Sequence, residues 1–447
     1  MLQEPEAALG TAEDDGLAQR ALDVLEANWR GASTVPSPAL YPHQWSWDSA
    51  CIAMGYSRTN QERAEQELRS LFVGQWRNGL LPHIVFAEGQ AYFPGPEFWR
   101  TDLSPDAPQR PRTSGIVQPP VHATAVLQVY RYGRDRERAN AFLAELRPKL
   151  EAWHDYLYSE RNRDGDGLIE IWHPWESGMD NSPLWDPVFA RIELTDGEVP
   201  EYERIDRTLV EPAERPTDAE YDYYAYLVKL YRDRGYDGAA IRAECTFVVH
   251  DVLFNSLLVQ ANRDLAEIAR LTGADPERHE RRAELTAAAI EQRLWNEDEH
   301  SYLDRDLRSG EWITVRVGSA FSPLYAGTPS DERARFLVER LQAFGVGVPP
   351  AGWAVPSLAT DDPAFESIRY WRGPVWPMVN WVTYRGLRRY GYETEAAELR
   401  AGVLELARRE GFWEHYNPLT ARGQGGEQFA WTAALILDLL AAPESAA

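Results

Sequence analysis

The chain has 447 residues, 44% of them hydrophobic, and carries 70 acidic against 46 basic side chains for a formal charge of −24. That surplus argues against nucleic acid and anionic membrane as partners, because both reward clustered Lys and Arg. Cys51 and Cys245 are too few and too far apart for a disulfide framework or a cysteine metal site, and no apolar run approaches the roughly 18 residues of a membrane span. The N-terminal stretch lacks the basic and apolar regions of a secretory signal, so a soluble, cytoplasmic protein is expected.

Helical periodicity dominates from the first elements onward. It predicts a helix over 15–30, then a long loop over 32–47 that runs into helices over 48–57 and 61–72. That loop ends in Tyr41-Pro42-His43-Gln44-Trp45-Ser46-Trp47-Asp48. Asp48 there is either a helix cap or, with Tyr41, Trp45 and Trp47, part of a sugar-sized aromatic subsite. A second long loop, 77–118, offers His83 and Gln118 before helices over 119–131 and 137–158. A structural turn role is the plain alternative for both residues.

The third long loop, 163–219, opens on Asp164-Gly165-Asp166-Gly167, which reads better as a hydrogen-bonded turn than as a calcium loop. It continues through Trp172-His173-Pro174-Trp175-Glu176-Ser177-Gly178-Met179-Asp180-Asn181. Two carboxylates, Glu176 and Asp180, lie there among indoles, and Gly178 permits a turn presenting Asp180 to a cleft. A carboxylate in such surroundings is costly to ionise, which suits general acid work. Arg215, beside the phenols from Tyr221 to Tyr226, could grip a carboxylate in a bidentate fork.

Helices are then predicted over 220–235, 238–270 and 276–295. Short strands at Ser301–Asp304 and Glu311–Val315 flank Ser309-Gly310 as a hairpin. After a helix over 330–342, the loop 343–374 leads through Tyr370-Trp371-Arg372-Gly373-Pro374-Val375-Trp376 into helices over 375–390 and 393–408. The last loop, 411–427, carries Glu414-His415-Tyr416-Asn417-Pro418 and a glycine run. Beyond it Gln428, a further candidate for binding substrate, opens the final helix, 428–440, with Glu427 as a rival to Glu414 for a water-activating base. His43, His83, His173 and Glu176 have no helical pairing that would favour zinc, so neither metal nor cofactor is expected.

About a dozen helices with alternating short and long connections predict an all-α fold, an (α/α)₆ barrel of two concentric helix layers. The long loops and the short β-hairpin would form the lid of the site. No linker divides the chain, so one domain over 1–447 is expected, with 163–219 as a lid or insertion. The sequence leaves a homo-oligomer open.

At Gln44-Trp45-Ser46-Trp47-Asp48, Trp175-Glu176-Ser177-Gly178-Met179-Asp180-Asn181, Tyr370 to Trp376 and Glu414 to Pro418, the chain resembles glycoside hydrolase family 63. The likeness is to its bacterial branch of mannosylglycerate and glucosylglycerate hydrolases. The resemblance implies an inverting α-glycosidase with Asp180 as general acid and Glu414 as general base. Their carboxylates would be separated by roughly 6.5–9.5 Å to admit water. It also implies that Asp48, Trp47 and Gln118 hold the sugar, while Arg215 and Tyr221 grip a glycerate carboxylate, with His83 and Tyr370 as further candidates. Trp45, Trp175, Trp371 and Trp376 complete the aromatic walls. The substrate partner is then a small glycoside bearing a carboxylate. The alternatives are an α-glucosidase or trehalase-like enzyme on neutral disaccharides, and a carbohydrate-binding protein without catalysis.

Overall fold

The computed structural model describes residues 12–195 and 197–441. Its main helices are α1 (Ala12–Asn28), α2 (Ser46–Tyr56), α3 (Gln61–Val73), α4 (His122–Tyr132) and α5 (Arg136–Glu160). Then follow α6 (Asp218–Asp233), α7 (Val252–Leu271), α8 (Glu277–Arg293) and α9 (Ser322–Ala326). The last four are α10 (Asp331–Phe344), α11 (Pro377–Arg389), α12 (Glu393–Glu410) and α13 (Ala430–Leu440). Helices α2, α4, α7, α9, α11 and α13 touch one another in that order, and α13 returns to α2, so an inner ring closes. Outside it, α3 packs on α2, α5 on α4, α8 on α7, and α12 on α11. Helix α10 meets the 3₁₀ turn Gly318–Phe321 that leads into α9, and α1 packs on α13. This is the (α/α)₆ toroid.

Sequence explains which helix goes where. Every residue of α2 and of α13 is buried, as an inner helix contacted on all sides requires. The outer helices α3, α5 and α10 carry an apolar stripe and begin with side-chain caps. Asn60, Asp135 and Ser330 accept from the N–H groups of Arg63, Arg138 and Arg333. Helix α6 opens with a complete capping box between Thr217 and Glu220. Among the described residues, no helix is long and apolar enough to cross a membrane.

Three expectations need correction. The segment 238–270 is not one helix: a short helix, Gly238–Glu244, gives way to a strand at Val249–His250, and α7 starts only at Val252. The β-branched and aromatic run Thr246-Phe247-Val248-Val249 favours extended backbone, and Asp251 caps α7 by accepting from the Phe254 N–H. The hairpin is displaced, with Asp304–Asp306 pairing with Trp312–Ile313 while Ser301–Tyr302 pairs back onto Trp295–Asn296. It lies in a four-stranded sheet with Glu170–Ile171 and Val249–His250, and therefore lines no part of the aromatic cavity described below. The short inner helix α9 escapes pattern reading, since five residues are too few to show a period.

The Asp-Gly turn after α5 forms as expected: Asn162 Oδ1 accepts from the Gly167 N–H and Asp166 Oδ1 from the Leu168 N–H. From there the chain crosses one end of the ring through the one-turn helices Asp186–Phe189 and Asp206–Leu209 before entering α6.

Candidate active site

Loops at one end of the ring line a cavity that stays partly open to solvent. Each element brings its side chains for a local reason. Strand Gln44–Trp45 pairs with Ile84–Val85, Trp45 opposite Ile84, which sets His83 and Trp45 on one wall. Trp47 and Asp48 follow in the first turn of α2, so Asp48 is its third residue rather than its cap. Gln118 Oε1 accepts from the Trp47 N–H at 3.1 Å, which fixes the amide and leaves its NH₂ as the free donor.

Asp180 follows a 3₁₀ turn, Pro174–Ser177, closed by Gly178 at φ +74. A Cβ at Gly178 would lie 2.6 Å from the Trp47 ring, so glycine is required both by the conformation and by the approach of the indole. Trp185 Nε1 donates to the Met179 carbonyl and Tyr224 Oη to the Asp180 carbonyl, holding the end of the turn. Glu176, the other carboxylate of this motif, points away from the cavity. It takes a bidentate pair from Arg161 at 2.6 and 2.8 Å and accepts the Trp172 N–H at 2.6 Å. Burial makes this ion pair a brace for the turn, and Asp180 alone is left to the cavity.

Glu414 stands on strand Trp413–Tyr416, paired with Gly423–Glu427 across a register shift. Its Oε1 accepts from Tyr41 Oη at 2.8 Å and its Oε2 from the Gly426 N–H at 2.9 Å. Arg215 reaches in from the 163–219 segment, with Nη1 2.9 Å from Tyr41 Oη and 3.8 Å from Glu414 Oε2. Its Nε donates to Asp206 Oδ2 at 3.1 Å, and its guanidinium lies 4.3 Å from the centre of the Tyr370 ring. Tyr370 itself has φ +34, a conformation uncommon for an aromatic residue. It is held there because its N–H donates to the Glu214 carbonyl and its own carbonyl accepts from Trp376 Nε1.

The aromatic walls are built from stacked pairs. Trp371 and Trp376 lie parallel with ring centres 3.8 Å apart, and His83 is stacked against Trp175. Tyr221 packs edge-on to Trp175 at 6.0 Å. All of Tyr41, Trp45, Trp47, Asp48, His83 and Gln118 line the cavity, as do Trp175, Asp180, Arg215, Tyr221, Tyr370, Trp371, Trp376 and Glu414. Gln428 does not: it is exposed, in a left-handed turn at φ +51, with its carbonyl bound by Asn28 Nδ2 at 2.9 Å. That turn swings its neighbours inward instead, and Phe429 and Trp431 are lining residues that pattern reading missed, along with Tyr92. Tyr92 lies in Tyr92-Phe93-Pro94-Gly95, the same aromatic, proline and glycine mixture that marked the other walls. Glu427 is exposed.

Electrostatics separates the three carboxyls that share this space. Burial pushes Asp180 up to about 7 against the opposing pull of Arg215. Burial pushes Asp48 up to about 8, with the charges of Glu414 and Glu67 adding to the effect. Glu414 is raised by burial, while Arg215, the Gly426 N–H and the Tyr41 hydroxyl all favour its ionised form. Burial also works against the charge of Arg215, but Tyr41, Tyr370, Glu414 and Asp206 hold its guanidinium well above the usual value. Two carboxyls, Asp180 and Asp48, are thus inclined to hold a proton near neutrality, while Glu414 is the one supplied with donors, an arrangement able to provide both an acid and a base.

Comparison with known proteins agrees in extent and kind. A family model, the mannosylglycerate hydrolase MGH1-like glycoside hydrolase domain, matches residues 41–432. The mannosylglycerate hydrolase of Rubrobacter radiotolerans is 49% identical over 434 residues, covering 96% of this chain and 98% of that one. The glucosylglycerate hydrolase of Mycolicibacterium hassiacum is 38% identical over 437 residues, covering 95% and 97%. The crystal structure of a family 63 mannosylglycerate hydrolase from Thermus thermophilus, in complex with Tris and D-glycerate, superposes with a TM-score of 0.88. It shares 45% identity and covers 94% of this chain and 99% of that one.

Proposed function

The chain belongs to the mannosylglycerate hydrolase MGH1-like glycoside hydrolases of family 63, and we propose that it is an inverting α-glycosidase that hydrolyses mannosylglycerate, glucosylglycerate or both. The products are the free hexose and D-glycerate. Asp180 gives its proton to the glycosidic oxygen as the bond to the anomeric carbon breaks. Glu414 takes a proton from a water that attacks the same carbon from the opposite face, so configuration inverts. Trp371, Trp376 and Trp175 offer apolar walls to the sugar ring, while Asp48 and the free NH₂ of Gln118 bond its hydroxyls.

The observation that carries the glycerate part is Arg215. Among the described residues it is the only guanidinium lining the cavity, and it lies beside both Tyr41 and Glu414. A permanent cation there matches an aglycone with a carboxylate and offers a neutral disaccharide nothing comparable. Because Arg215 sits within 163–219, that segment serves as a lid over the bound aglycone. We also place the enzyme in the cytoplasm, a compartment that suits two buried, unpaired cysteines.

Proton NMR of the purified protein with mannosylglycerate, glucosylglycerate and maltose in parallel tests the reading. Release of the β-hexose first, from a glycerate substrate, is expected. Cleavage of maltose alone would remove the carboxylate clamp, and release of the α-anomer first would remove inversion. Tight sugar binding with no turnover would make the protein a binding module.

A further inference from the structure

Both oxygens of the Glu414 carboxylate lead back to two neighbouring residues in the 163–219 segment. Oε1 accepts from Tyr41 Oη at 2.8 Å, and that hydroxyl accepts from Arg215 Nη1 at 2.9 Å. Oε2 accepts from the Gly426 N–H at 2.9 Å, and the N–H just before it, on Gly425, donates to Glu214 Oε2 at 2.8 Å. Glu214 also accepts the Tyr370 N–H on its main-chain carbonyl at 3.2 Å. It therefore fastens two walls that meet at the base, yet its own side chain lines no part of the cavity.

The Gly425 main chain lies against the base. At φ +72, a Cβ on Gly425 would fall 2.5 Å from Glu414 Oε2, so any other residue would displace the carboxylate. Two successive amides thus serve two carboxylates, one on the insertion and one at the centre of the site. A shift of this peptide pair alters the donor on Oε2 and, with it, where the base points. Setting Glu214 near Glu414 also carries a cost, since burial and the Glu414 charge both disfavour its ionised form.

Resting on the reading of Glu414 as base, we propose that Glu214 is a positioning residue for it. It holds the Gly425–Gly426 main chain so that the Gly426 N–H stays on Oε2. With Arg215 acting on the other oxygen through Tyr41, the base takes its working orientation only when the insertion is seated.

The test compares variants on mannosylglycerate and on α-D-mannosyl fluoride, whose leaving group needs no acid but whose hydrolysis still needs the base. Glu214→Ala should lower kcat about tenfold or more on both substrates while KM changes little, a part of the roughly 10²–10⁴-fold a general base supplies. Glu214→Asp, too short to reach Gly425, should behave alike. Glu214→Gln, whose amide oxygen still accepts from the Gly425 N–H, should stay within about threefold of the parent, less than RT ln 10 in barrier. Unchanged kcat in the Ala and Asp variants overturns the proposal. So does a loss in KM alone, a loss confined to mannosylglycerate, or equal damage from Gln. If the Ala variant fails to fold by far-UV circular dichroism, the contrast between Asp and Gln decides. Glu414→Gln on the fluoride separates the two layers: retained turnover there removes the base assignment itself, whereas its loss with Glu214→Ala unaffected removes only the role of Glu214.

Discussion

The turn that carries Asp180 and the strand pair that carries Glu414 use the same chemistry in opposite ways. At the turn, the structural load falls on Glu176, buried with Arg161 and four residues ahead of Asp180, the proposed acid. Asp180 is left without a cation in hydrogen-bonding reach among the described residues, and burial raises it to about 7. At the strand pair, Glu414, the proposed base, is itself tied, with donors on both oxygens and a guanidinium 3.8 Å away. The comparison teaches that role follows from where the donors are spent. At Asp180 burial outweighs the Arg215 charge and its few hydrogen bonds, which holds the proton toward neutrality. At Glu414 burial acts the same way, but Arg215, the Gly426 N–H and the Tyr41 hydroxyl favour the ionised form that can take a proton.

The largest expected effect comes from erasing the two ends of that contrast. Asp180→Asn and Glu414→Gln should each lower kcat on mannosylglycerate by about 10³-fold or more, consistent with general acid and base contributions, with the far-UV spectrum unchanged. Near-parental turnover in either variant would remove the assignment. The parent's kcat/KM should fall on the alkaline side as pH rises through about 7, where Asp180 loses its proton. It should fall on the acid side as Glu414 becomes protonated. A pH profile of Asp180→Asn that still shows the alkaline limb would assign that limb to another group.

Next is the brace. Glu176→Ala strands the Arg161 guanidinium, which is 1% exposed, and should destabilise the fold by about 3–5 kcal/mol, as expected for breaking a buried pair. Urea unfolding measures it, and a change below about 1 kcal/mol, the scale of exposed pairs, would mean that the pair does not hold the turn. The smallest effect is selective. Arg215→Ala should weaken kcat/KM for glycerate glycosides by about 10–100-fold, the worth of a hydrogen bond between charged groups, and leave a neutral aryl α-glycoside less affected. Equal losses on both would remove the carboxylate clamp and leave Arg215 as a support for Tyr41 and Glu414.

Legibility differed between these regions for physical reasons. Asp180, Gly178 and the tryptophans around them are close in sequence, so a turn with a desolvated carboxyl could be read locally. Glu414 was legible as an acid before a glycine run. Gly426 belongs to that run, but its other partners Tyr41 and Arg215 come from two distant loops, and Glu214 carried no signal at all. Gln428 was misplaced because a single left-handed turn reverses the side on which neighbours fall, exposing Gln428 and burying Phe429.

What the sequence determined by itself was the periodic part. About a dozen apolar-striped segments with short and long connections specify two helix layers, because burying those stripes leaves few other closed packings. The aromatic, proline and glycine loops marked the end of the ring where the cavity lies. What only the tertiary structure decided was the division of labour among side chains. Whether Glu176 or Asp180 faces the cavity, and which amide reaches which oxygen of Glu414, depends on contacts between residues as much as 373 positions apart. No local pattern encodes such distances, because they are fixed by the closure of the ring.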